Sequence, residues 1–135
     1  MRRLIGDQRG ASVIEFALMA PVVVTALIGL IEGGRLGLVY FSLMTATQDA
    51  AHAAMVGSPT GGAAQTADTI RDLVRANVRG QAADTVAVAV SYSAGNAVNS
   101  TVTVTSTTTF TPVLLNLFGT GAFTLSTSTQ MPVVN

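Results

Sequence analysis

Arg9-Gly10-Ala11-Ser12-Val13-Ile14-Glu15-Phe16-Ala17-Leu18-Met19-Ala20-Pro21 is the stretch on which the fold turns. A basic head carrying Arg2, Arg3 and Arg9 leads into it, and an apolar run continues from it to Ile31. Between Ala11 and Ile31, Glu15 is the only ionisable side chain. A spanning helix needs about 20 apolar residues rising about 1.5 Å each, and this run is long enough. Arginines before it, with only Arg35 soon after it, predict the head inside and the rest of the chain outside.

Three readings compete for this segment. A secretory signal has an apolar core of about 7–15 residues and then a small-residue cleavage site; this run is long for that and no Ala-x-Ala site closes it. A permanent single-pass anchor fits the length but leaves Glu15 without a role. A chain cut between Gly10 and Ala11 gives the glutamate one. The new α-amine would be largely protonated, since such amines titrate near ~8. Positions i and i+4 face each other on a helix, so Glu15 is placed to neutralise the Ala11 amine of its own chain or of a neighbour. A carboxylate at the bilayer centre costs roughly 2.5–3.5 kcal/mol and marks function; Glu15 lies near the inner edge, where the cost is lower.

Pro21 removes a helix amide donor and clashes with the carbonyl one turn back, so a kink is expected there. Gly29, Gly33 and Gly37 recur every four residues, a small-xxx-small face that permits close helix packing. Ordinary glycine content at a membrane boundary is the competing reading. Glu32 and Arg35 are spaced to pair on one helical face or to mark the outer membrane surface.

Gly10-Ala11-Ser12-Val13-Ile14-Glu15-Phe16-Ala17-Leu18, then Pro21, then Glu32-Gly33-Gly34-Arg35, resembles the TadE-like minor pilins (pseudopilins) of tight-adherence pili. The resemblance is strongest over residues 9–50. It implies that a prepilin peptidase removes residues 1–10 and that Glu15 and Phe16 serve processing or assembly. It implies further partners in major and other minor pilin subunits, met through the N-terminal helix, and in the pilus assembly platform. The expected location is the bacterial inner membrane, with the N-terminus cytoplasmic and the C-terminal domain outside, followed by the pilus or cell surface. Two positions depart from the family pattern. Gly33 stands where an aromatic is usual, and the Ala-rich segment after the membrane helix offers only His52 in place of a basic residue.

Beyond Ile31 the helical pattern continues to Val56. Leu36, Val39, Tyr40, Leu43, Ala46, Ala50, Ala53 and Ala54 form one mostly apolar face, so residues 11–56 read as a transmembrane and stalk helix. Gly57 to Ala64 reads as a linker. Residues 65–135 read as a small extracytoplasmic domain. Its helix starts at an N-cap Thr66 and closes at Gly80, with Ile70, Leu73, Val74 and Val78 inward. Arg71, Arg75 and Arg79 form an opposite stripe, either a docking face or a solvated face partly neutralised by Asp68 and Asp72. Three strands follow. The first alternates Val86, Val88, Val90 and Tyr92 inward and turns at Ala94-Gly95-Asn96. The second runs from Thr101 to Phe110 and the third from Phe123 to Thr127. Val113, Leu114, Leu115, Leu117 and Phe118 make an apolar patch between strands, either a lid on the core, the preferred reading, or a contact with another subunit. The fold class is α+β: a long N-terminal helix, then one helix and a three-stranded antiparallel sheet, pilin-like in outline.

The composition points away from chemistry. All seven basic residues are arginine and formal net charge is zero, so there is no basic field for nucleic acid. Without cysteine there is no disulfide or thiolate site, and without lysine no Schiff base. One histidine, His52, is not a metal site. No phosphate loop or nucleophile motif is present. The expectation is a structural protein rather than an enzyme, with no metal, cofactor or small-molecule substrate. The alternative is a membrane-anchored binding module of the bacterial envelope that never polymerises.

Overall fold

The computed structural model describes residues 8–56, 65–96, 100–113, 116, 119 and 121–134. Residues 1–7 of the leader expected at 1–10 lie outside them. So do the linker expected at 57–64 and Leu114, Leu115, Leu117 and Phe118 of the apolar patch. Helix α1 spans Gln8–Val56 and α2 spans Ala67–Asn77; strands β1, β2 and β3 span Ala87–Asn96, Thr101–Phe110 and Phe123–Pro132. The expected α+β architecture is what forms.

At 49 residues and about 1.5 Å per residue, α1 is about 74 Å long. It is continuous across Pro21, and Thr25 Oγ1 donates to the Pro21 carbonyl at 2.8 Å. The helix has two environments. Its N-terminal part up to Ile31 is almost wholly exposed, whereas Val39, Leu43, Ala46, Thr47, Ala50, Ala51 and Ala54 are buried. Alanine spacing lets α2 and the sheet approach α1 closely, and Thr47 satisfies its hydroxyl on the Leu43 carbonyl at 2.7 Å. The buried face differs in detail from the sequence pattern. Tyr40 is 41% exposed and meets Phe41 edge-on, ring centroids 6.0 Å apart. Ala53 is half-buried, and Thr47 and Ala51 take part instead. The sheet approaches α1 from an angle that polarity alone does not define.

The sheet order is β1-β2-β3, all antiparallel. Central β2 alternates as its sequence does, with Val102, Val104, Ser106, Thr108 and Phe110 inward. Its outer face is zipped to β3 through hydroxyls, Thr105 to Ser128 at 3.0 Å and Thr107 to Ser126 at 3.5 Å, the cross-strand pairing that threonine-rich strands favour. Strand β1 continues through Ala94 to Asn96, where composition points to a turn. Its backbone stays extended past Ser93, whose Oγ accepts from the Thr101 amide at 2.9 Å. Likewise β3 runs to Pro132 rather than Thr127, paired with β2 along its whole length.

Thr66 caps α2 by accepting from the Thr69 amide, and Ile70, Val74 and Val78 are buried with Val86, Val102, Val104 and Leu43. The helix ends earlier than Gly80: Val78 is the C-cap. Gly80 has φ +79°, and a Cβ there would sit 3.2 Å from Val39 Cγ2. It is a left-handed turn pressed against α1, open to glycine for both reasons. Two arginines of the stripe, Arg71 and Arg75, are not purely solvated. Arg71 Nε donates to Val88 O and Arg75 Nε to Val86 O, each at 3.3 Å, so these side chains cover carbonyls along the edge strand β1. Arg71 also pairs with Asp68 at 2.6 Å.

The sheet lies along α1. Its upper end is tied by the Val134 amide to Met55 O at 3.1 Å. Its lower end places Phe110 5.5 Å from the Arg35 guanidinium. Ten residues of β2 span about 33 Å at about 3.3 Å each. Glu32 to Met55 on the helix spans about 35 Å. The two lengths match, and they set the lower end of the sheet at the end of the apolar run.

Candidate functional site: the apolar helix and its two carboxylates

Between Ala11 and Ile31 the helix buries almost nothing within the chain. Phe16 is 73%, Leu18 71% and Leu30 75% exposed. The helix is long and apolar enough to cross a membrane. Such a surface is unstable in water and is stable in lipid or against other apolar helices.

Two acidic residues bracket this run, about 26 Å apart along the axis. They are in different states. Glu32 is largely shielded and takes Arg35 Nη1 on both oxygens, at 3.0 and 3.2 Å. Glu15 is exposed and has no ion-pair or hydrogen-bond partner among the described residues. It shares its face with Ala11 one turn before it. Gly10 and Ala11 are both helical and exposed, as is Phe16 beside Glu15. Glu15 and Glu32 are not brought together.

Gly29, Gly33 and Gly37 have open space where a Cβ would stand. Among the described residues no other helix packs closely there. Gly29 and Gly33 do line a groove of about 330 Å³, with Leu36 on the same helix and Phe110, Pro112 and Phe123 across from them. Glu32 lines it as well. Sequence reasoning passed over this groove. Both phenylalanines are visible at strand ends, but only the register Phe110↔Phe123 and the alignment of the sheet on α1 place them at the level of Gly33. A second exposed strip, Leu38, Phe41 and Met44, lies just beyond the apolar run on α1.

Among the described residues one helix is long and apolar enough to cross a membrane, and its C-terminal half forms the core of a small α+β domain, an arrangement that suits a membrane-anchored protein. Residues 10–52 match the model of a family described as TadE-like protein. The match covers the N-terminal motif, the apolar run and most of the stalk, and supports the resemblance to TadE-like proteins of tight-adherence pili. No curated protein and no solved structure matches the chain.

Proposed function

We propose that this chain is a TadE-like minor pilin, cleaved by prepilin peptidase between Gly10 and Ala11 and used in assembly of a tight-adherence pilus. The observation that carries the reading is the unequal state of the two carboxylates. Glu32 is neutralised by Arg35 inside its own chain, while Glu15 has no partner among the described residues. A carboxylate beside a bilayer needs a cation. Cleavage creates one, the α-amine of Ala11, on the same helix face one turn away and equally accessible to a neighbouring subunit.

The remaining residues support the same scheme. Exposed apolar side chains along residues 11–31 and the open face at Gly29, Gly33 and Gly37 suit lipid before assembly and other subunits' helices after it. Phe16 would pack beside the processed terminus, and Pro21 would set the bend of the helix. The head stays cytoplasmic and the domain outside, in the inner membrane first and the pilus later. The peptidase, the other pilins and the assembly platform are the partners. The role is structural.

The mass of the mature N-terminus tests cleavage: a start at Ala11 supports the reading, and a start at Met1 or beyond about residue 31 overturns it. Sheared pilus fractions test assembly. Glu15→Ala is expected to leave the outer domain folded and to deplete the protein from pili. Undiminished incorporation of Glu15→Ala would refute the proposed role of the carboxylate.

A further inference from the structure

We infer that the groove between Gly29, Gly33 and Leu36 of α1 and Phe110, Pro112 and Phe123 of the sheet holds a phospholipid acyl chain of the outer leaflet, with Val113 and Phe123 seated in the bilayer interface. The inference rests on α1 crossing a membrane. It goes beyond that reading by placing part of the outer domain in lipid.

Depth is the first argument. With the apolar run starting at Ala11, Gly29 lies about 27 Å along the helix and Leu36 about 38 Å. A hydrocarbon core is about 30 Å thick and a bilayer with headgroups about 40–45 Å. The groove therefore begins at the outer margin of the hydrocarbon and ends among the headgroups. Its walls are the second argument. They are apolar apart from Glu32, and the helix face that carries Gly29, Gly33 and Leu36 runs back into the span through Ala26 and Val22, both exposed. Lipid that covers those residues reaches the groove mouth. The third argument is the domain's own surface at that level. Val113 is 65% and Phe123 47% exposed, and exposed apolar side chains such as phenylalanine bury into the headgroup–acyl boundary. At the groove's headgroup end, the half-exposed Arg35 uses Nη1 on Glu32 and has other N–H donors at the height of lipid phosphates.

The chain contains no tryptophan, so a single introduced tryptophan reports its own position. Full-length protein is reconstituted in phosphatidylcholine vesicles with brominated or ordinary acyl chains, carrying Leu30→Trp, Val113→Trp, Phe123→Trp or Gln130→Trp. Expected is quenching at positions 113 and 123 within a factor of about two of that at position 30, with none at position 130. Quenching at 30 with none at 113 and 123 overturns the inference, and blue-shifted unquenched emission there would assign the groove to another protein surface. An unquenched Leu30→Trp would instead remove the membrane reading beneath it. Val113→Trp lies outside the core, so the test does not depend on Phe123→Trp folding.

Discussion

Leu43→Ala tests whether the outer half of α1 is part of the domain core or only a tether. Leu43 is fully buried in a cluster with Ile70, Val74, Val102 and Val104, from α2 and the central strand. Truncation to Ala leaves only Cβ, and such changes cost about 2–5 kcal/mol, set by how far the site collapses. The neighbours on α1 are Ala46, Thr47 and Ala50, too small to move into the space, so a value near ~3 kcal/mol is expected. The whole fold holds only about 5–15 kcal/mol, so the loss is large yet leaves the domain folded. The assay is amide hydrogen exchange on β2 in the full-length protein in detergent. At about 1.4 kcal/mol per tenfold, the slowest β2 amides should exchange on the order of a hundredfold faster. Val24→Ala, at a 53% exposed position in the apolar run, is the control and should leave β2 unchanged. If Leu43→Ala also leaves β2 unchanged, the domain folds independently of α1 and the account of its core is wrong.

Gly80→Ala should destabilise the domain by about 1–2 kcal/mol through the left-handed backbone, with further loss from crowding Val39; a lower urea midpoint at constant slope would confirm it. Burial raises the Tyr92 phenol above its ordinary value of 10.0, so the folded state holds the proton more tightly than the unfolded one. The stability this confers is complete below roughly pH 10 and declines as pH rises through and beyond it. Urea midpoints compared at roughly pH 8 and roughly pH 11 should show that decline, reduced in Tyr92→Phe, which also loses the hydrogen bond to Gln65 O.

Much of this protein is written in local pattern. A charge-free run of membrane length, period-two valines in β1 and the Thr66 cap each depend on neighbours within a few residues. They are legible because helix and strand periods act locally. The Gly10 to Phe16 motif is legible for the same reason. The fate of the arginine stripe was not. Whether Arg71 and Arg75 face solvent or cover Val88 and Val86 depends on which strand ends up at the sheet edge.

From sequence alone came the class of the fold, the apolar run and the suspicion attached to Glu15. The Glu32–Arg35 pair was legible as an i, i+3 spacing, and the tertiary structure adds that it is formed while no described side chain reaches Glu15. The tertiary structure alone set Phe110 and Phe123 opposite Gly29 and Gly33, far away in the chain. The physical reason is range: helix and strand propensities act over a few residues, whereas the level at which a sheet lies along a helix is fixed by the packed core of both.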